Sequence, residues 1–157
     1  MRDETPGFRF AELLLYGYPR NMARLERARE RLETLRAEST CRAQGYEPID
    51  HSGGPGDPVG TRAAEIVSLE NEIGLLERRT APITALMGAL ETPFVLEGTA
   101  NAELARVARL FYFGKMGKGA AAAKLKVDRK TFYRMRARLV ELTMKYMDLV
   151  DMVLKGK

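Results

Sequence analysis

The sequence predicts an all-α protein, in which an N-terminal helical hairpin or coiled coil precedes a C-terminal group of three helices with a long last member. Three observations support this prediction. Apolar residues recur at steps of three and four over long stretches, which is the period of an amphipathic helix. Leu, Ala, Glu, Arg and Lys dominate these stretches, and runs of β-branched residues are few. A Gly- and Pro-rich segment at 41–60 and an irregular one at 91–101 separate the stretches from one another.

Residues 1–44 predict two N-terminal helices. An apolar helix over 8–19 is expected to end at Gly17 and Pro19, because both residue types disfavour a helix interior. Asn21 then caps a second helix that runs to about Glu38. The apolar residues of this second helix occupy a and d positions of a heptad, which favours packing against another helix. They are Leu25, Ala28, Leu32 and Leu35.

Residues 45–60 predict a flexible Gly/Pro linker. Its stretch GGPGDPVG does not make a phosphate loop, because Val59 stands where the third glycine of G-x-G-x-x-G belongs. His51 lies in the same segment without Cys or His partners, so the sequence predicts no metal site there.

A long helix is predicted within residues 61–97, with Thr61 as its cap. Its apolar residues form two heptad rows, in which Thr80 fills one gap, and the resulting seam should pack antiparallel against the 21–38 helix. Pro82 predicts a kink or a break near Ala81. The two rows are Ile66, Ile73 and Met87, and Leu69, Leu76, Ile83 and Leu90.

Residues 98–157 predict three consecutive helices with the lengths of a helix-turn-helix domain and a C-terminal extension. Asn101 and Asp128 are suitable caps for the first and the last of them. The three helices are expected over 102–113, 118–126 and 128–154.

Positive charge is concentrated in this C-terminal region. Residues 115–157 carry 12 basic and 4 acidic side chains, whereas residues 1–114 carry 14 basic and 17 acidic ones. Such a local field suits a phosphate backbone or an anionic membrane. Nucleic acid is the favoured partner, because the apolar face of the last helix is needed for a core.

Four alanines, 120–123, permit the close approach of helix backbones that a helix-turn-helix requires, and Leu125 and Val127 would fill the core at the turn. An α-helix fits the major groove, where Arg and Lys read guanine edges. Side chains predicted to contact bases are Arg129, Lys130, Tyr133 and Arg134. Those predicted to contact the DNA backbone are Lys118, Lys124, Lys126, Thr131, Arg136 and Arg138.

The stretch AAAKLKVDRKTFYRMRARL resembles the region-4-type helix-turn-helix of sigma factors and, more closely, the ArpU/RinA-type phage late-gene regulators. ARLFYFGK (108–115) and DRKTFYRM (128–135) stand at the two segments that carry this resemblance. Lys126 departs from it, because glycine is usual at that turn position. The resemblance implies a sequence-specific double-stranded DNA-binding transcription regulator of phage or prophage origin. RNA polymerase is then a candidate partner, and the host-cell cytoplasm the expected location.

The last helix is longer than groove reading requires, so its remaining apolar seam must pack against the 61–91 helix or against a second copy of the chain. A homodimer is the favoured form. The seam consists of Leu142, Tyr146, Leu149 and Val153.

Two other functions stay open. A small-terminase-like DNA-packaging recognition subunit would combine the same motif with coiled-coil oligomerisation, in a ring of eight or more copies. A structural coiled-coil scaffold would not bind nucleic acid. The sequence offers no catalytic constellation, so we predict neither an enzyme nor a cofactor.

The sequence also favours a cytoplasmic location without membrane attachment. Cys41 is the only cysteine, which excludes an intramolecular disulfide. No apolar run approaches the roughly 20 residues that span a bilayer. The stretch MRDETPGFRF has acids and a proline where a signal peptide would have bases and an apolar run.

Overall fold

The computed structural model describes residues 5–44, 58–92 and 101–156, and most of these residues are helical. No strand occurs in the described ranges, which confirms the predicted fold class. Most of the predicted linker, including His51, lies outside the described residues. The helices are α1 (Pro6–Gln44), α2 (Pro58–Glu91), α3 (Asn101–Val107), a π-helix (Ala108–Phe113) that continues α3, α4 (Lys118–Leu125) and α5 (Arg129–Lys155).

α1 is one continuous helix, whereas the sequence predicted two. Pro19 lies inside it, so neither Gly17 nor Pro19 ends a helix, and Asn21 is an interior residue rather than a cap. An interior proline costs about 3 kcal/mol, because a backbone donor is lost and the ring meets the preceding turn. Each fully buried leucine contributes about 1.5–3 kcal/mol, and Leu15 and Leu25 are buried on either side of the proline. Continuous burial along one face therefore offsets the local penalty.

α2 also differs from the prediction at its start and at its proline. It begins at Pro58 rather than after Thr61, which suits proline because the first helical position needs no backbone donor. Pro82 lies within the helix, and the break expected near Ala81 is absent. Ile83 and Leu86 are fully buried just beyond the proline, so the same compensation applies as in α1.

The described residues divide into two compact units. Unit 2, Met22–Glu77, is an antiparallel helical hairpin, as the sequence predicted. The predicted heptad residues of α1 are all buried, and Leu76 of α2 is buried too. Ion pairs flank the hairpin in two rows, and within each row successive pairs lie seven residues apart on both helices. The pairs are Arg24–Glu72 (2.6 Å), Arg31–Glu65 (3.0 Å), Arg29–Glu77 (2.7 Å) and Arg36–Glu70 (2.7 Å).

Unit 1 comprises Met1–Asn21 and Arg78–Lys157, so its boundaries are wider than the predicted 98–157 domain. The start of α1 and the end of α2 share one apolar cluster with α3, the π-helix, α4 and α5. Leu15, Ile83, Val107, Phe132 and Leu139 are fully buried in this cluster. The predicted helix-turn-helix therefore folds around a core to which the start of α1 and the end of α2 also contribute.

The second half of the predicted 102–113 helix is a π-helix rather than an α-helix. It ends at Gly114, whose N–H donates to the carbonyl of Arg109 at 2.8 Å, five residues back. A Cβ at position 114 would lie 2.9 Å from the carbonyl oxygen of Leu110. Glycine is thus the residue that this close approach permits.

Candidate nucleic-acid interface

A three-residue turn joins α4 to α5 and closes α4 with a left-handed residue. Lys126 has φ 58° and ψ 39°. Its N–H donates to the carbonyl of Ala123, and the N–H of Val127 donates to the carbonyl of Ala122, each at 3.1 Å. A helix end closed by these two hydrogen bonds usually has glycine at this position. Any other residue with a left-handed backbone costs roughly 1–2 kcal/mol. The turn therefore keeps its usual geometry, and Lys126 adopts the glycine conformation.

Asp128 caps α5, as predicted. Its carboxylate accepts from the N–H of Thr131 at 3.1 Å. Hydrogen bonds from the Thr131 side chain and backbone lower the pKa of Asp128, and the charge of Arg134 adds to the effect. Thr131, predicted to contact the DNA backbone, is half-buried and serves this cap.

The first turns of α5 have one buried and one exposed face, as predicted. Phe132, Met135 and Leu139 are buried in the core of unit 1. Phe132 packs edge-to-face on Phe111 of the π-helix, with ring centroids 5.4 Å apart. The exposed face carries the four side chains predicted to contact bases, Arg129, Lys130, Tyr133 and Arg134. Burial of the opposite face fixes which side of α5 meets solvent.

α4 packs into the core of unit 1 through small side chains. Ala121 and Ala122 are buried, as expected for a close helix crossing, and Leu125 is buried beside them. Val127 is half-buried and packs on the same cluster. These residues anchor α4, so the lysines at its ends have a fixed backbone.

Cations surround the exposed face of α5. Lys118 lies at the start of α4 with its Nζ 5.6 Å from the centroid of the Tyr133 ring, which joins the two helices at the surface. Lys124 and Lys126 are exposed near the turn. Arg138 is exposed one turn further along α5, where a guanidinium nitrogen lies 3.9 Å from the Glu141 carboxylate.

Arg136 does not belong to this surface, although it was predicted to contact the DNA backbone. Its side chain is only 15% exposed and pairs with Glu12 of α1, which is 14% exposed. The Nε of Arg136 donates to Glu12 Oε1 at 2.7 Å, and the Tyr112 hydroxyl donates to the same oxygen at 2.9 Å. Burial, and then the charge of Glu12, raise the pKa of Tyr112 well above its usual range. No local pattern could have predicted this cluster, because Glu12 and Arg136 stand 124 positions apart.

Other kinds of site find little support in the described parts of the chain. These residues hold no group of three or more His, Cys, Asp or Glu side chains that could bind a metal ion. None of the described helices is long and apolar enough to cross a membrane. Cys41 is an exposed, free thiol on α1.

The buried face, the turn and the exposed basic face together have the order and polarity of a helix-turn-helix. Comparison of the chain with protein-family models, with curated proteins and with solved structures finds no match. The resemblance to phage late-gene regulators therefore stays a prediction.

Proposed function

We propose that the protein binds double-stranded DNA and places the start of α5 in the major groove. One observation carries this proposal. Residues 115–140 contain nine basic side chains and one acid, Asp128, whose carboxylate is engaged in the helix cap. The exposed cations on α4 and at the start of α5 thus come from a segment with little negative charge of its own. A DNA backbone supplies the missing charge.

Several arginines of the unit 2 hairpin differ from the exposed cations of α4 and the start of α5, because they are paired with carboxylates. Four arginines of α1 each pair with a glutamate of α2 at 2.6–3.0 Å. Arg129, Lys130, Lys124 and Lys126 have no ion-pair partner among the described residues. Unpaired cations repel one another, so clustering them is costly unless an anion binds there.

The proposed roles follow from position along α5. Arg129, Lys130, Tyr133 and Arg134 occupy the first two turns after the cap, where a recognition helix meets base edges. Lys118, Lys124, Lys126 and Arg138 surround them and would contact phosphates. Arg136 is left out of the interface because Glu12 neutralises it, and Thr131 because it completes the cap.

Within this proposal, the resemblance favours a transcription regulator of phage or prophage origin, acting in the host cytoplasm with RNA polymerase as a candidate partner. The second candidate is a small-terminase-like packaging subunit, which the combination of a helical hairpin with a basic helix-turn-helix also suits. Particle mass separates the two, since a ring of eight or more copies favours packaging and a monomer or dimer favours regulation.

Sequence reading by α5 is tested by selecting binding sites from a random duplex pool with the full chain. Arg134→Ala should then weaken binding to the selected site by roughly 1–3 kcal/mol, the size of one lost bidentate base contact, and random duplex much less. Arg138→Ala should weaken both about equally. Arg27→Ala, on the outer face of unit 2, is the control and should change neither.

Two results would contradict this assignment. A pool that yields no preferred site would remove sequence-specific reading. The second result concerns the two arginine variants. If Arg134→Ala weakens binding to selected and random duplex equally while Arg138→Ala does not, α5 is rotated in the groove.

A further inference from the structure

Two described residues other than glycine have a left-handed backbone, and both are lysines next to α4. Lys115 has φ 52° and Lys126 has φ 58°. Lys115 follows the π-helix, and Lys126 follows α4, so each closes a helix. Glycine is the usual residue in this conformation, and Asn or Asp the usual substitutes, because a longer side chain crowds the backbone.

Local structure gives no reason for lysine at either position. Both side chains are exposed, and neither has an ion-pair partner among the described residues. The hydrogen bonds that close the helices come from backbone N–H groups, Met116 to Leu110 and Val127 to Ala122, each at 3.1 Å. Any residue that tolerates a left-handed backbone could make them. What lysine adds is a positive charge, and a long stem with which to present it.

Lys126 belongs to the surface already described, and Lys115 lies close to it along the chain. Lys115 lies three residues before Lys118, whose Nζ stands over the Tyr133 ring of α5. Lys126 lies two residues before the Asp128 cap of α5. The first helix of a helix-turn-helix crosses the DNA backbone, so the two ends of α4 would stand beside phosphates.

We propose that Lys115 is a further DNA-phosphate contact and forms a pair with Lys126, one lysine at each end of α4. Both are retained in an unfavourable backbone conformation because their charges bind phosphate. This inference rests on the proposed DNA-binding function. It adds a contact that the sequence did not indicate and explains why lysine stands where glycine would fit better.

The test separates the effect of the lysine charge from the effect of the left-handed backbone, and it uses the full chain. Lys115→Gly and Lys126→Gly remove the charge and relieve the backbone, whereas Lys115→Asn and Lys126→Asn remove the charge and keep a side chain that tolerates the left-handed region. Lys155→Gln is the control, because it removes one charge at the far end of α5. Each variant is titrated with random duplex at several salt concentrations, and its melting temperature is measured.

We expect each glycine or asparagine variant to flatten the slope of log affinity against log salt by about 0.9, and the double variants by about 1.8. Melting temperatures should stay equal to wild type or rise for the glycine variants. Lys155→Gln should leave the slope unchanged. The asparagine variants decide the matter if a glycine variant folds poorly.

An unchanged slope for Lys115→Gly and Lys115→Asn, in a wild-type protein that binds duplex, would overturn the inference and leave the proposed function standing. A wild-type protein that does not bind duplex would overturn both. If the melting temperature falls in all four variants and the salt slope is unchanged, the two lysines stabilise the helix ends and do not contact DNA.

Discussion

Arg136 and Arg138 stand two positions apart in α5, yet their surroundings differ. Arg136 points into unit 1, where it meets Glu12 and the Tyr112 hydroxyl, while Arg138 is exposed. Although burial lowers the pKa of Arg136, its hydrogen bonds to Glu12 and to the Tyr112 hydroxyl raise it, so the guanidinium keeps its charge. The number of bases in a run therefore overstates the number that can contact DNA.

The Glu12–Arg136 pair predicts a specific stability defect. Glu12→Gln leaves the Arg136 guanidinium without its counter-charge in a largely buried position, and breaking such a pair costs about 3 kcal/mol. Urea unfolding should show this loss, and the double variant Glu12→Gln/Arg136→Met should recover much of it. A double variant as unstable as the sum of the single ones would contradict a direct coupling between the two side chains.

The Asp128 cap predicts a dependence of stability on pH. The pKa of Asp128 is lowered in the folded protein, so its contribution is present above the ordinary value of 3.8 and is lost as pH falls through the folded value. Asp128→Asn keeps a capping oxygen that does not titrate. Between about pH 4 and pH 2 the wild type should therefore lose more stability than Asp128→Asn. Parallel urea midpoints for the two proteins across this range would refute the cap as the cause of the lowered pKa.

The ion pairs of unit 2 form a charge pattern that determines which helices pack together. In its two rows α1 contributes arginine and α2 contributes glutamate. Two copies of α1 would bring arginine rows together, so the pattern favours pairing α1 with α2 and disfavours α1 with α1. The hairpin is thus an unsuitable site for like-with-like dimerisation.

Charge reversal tests this pattern. Arg24→Glu/Arg31→Glu should destabilise the protein by about 1–3 kcal/mol, because two pairs become like-charge contacts. Adding Glu72→Arg and Glu65→Arg should restore most of the loss in thermal unfolding. Arg27→Glu, whose parent side chain donates to the Ala23 carbonyl rather than to a carboxylate, is the control. Failure of the compensating changes to restore stability would argue against the antiparallel register.

The elements also show which features a sequence can predict. Asp128 caps α5 through a residue only three positions away, so this local feature predicted the start of α5. The heptad leucines of α1 likewise predicted the hairpin. Pro19 and Pro82 misled the prediction, because their local penalty is outweighed by burial contributed by distant segments. The Glu12–Arg136 pair depends wholly on tertiary packing, and no local pattern marks it.

The apolar seam of α5 divides into a buried part and an exposed part. Leu142 is buried and Tyr146 packs on the core of unit 1, so part of the seam is covered within one chain. Leu149, Met152 and Val153 are 52%, 70% and 64% exposed. The homodimer predicted from the sequence would therefore have only residues 149–154 of this seam left for its contact.

Truncation after Asp148 tests that hypothesis. It removes the exposed apolar residues and spares those that the core buries, whereas truncation after Leu139 would also remove Leu142 and Thr143 from the core. Light scattering should show a dimer for the full chain and a monomer for the truncated one, with helical content per residue retained. Equal numbers of chains per particle in both would exclude this end of α5 as the contact.

The proposed function rests on the claim that the cations around α4 and the start of α5 bind DNA phosphates, and the salt dependence of affinity measures this binding. The full chain is titrated with random duplex at several salt concentrations, and log affinity is plotted against log salt. Four or five phosphate contacts predict a slope between about −3.6 and −4.5, from about −0.9 for each contact. A slope near zero, or no binding at low salt, would contradict the claim.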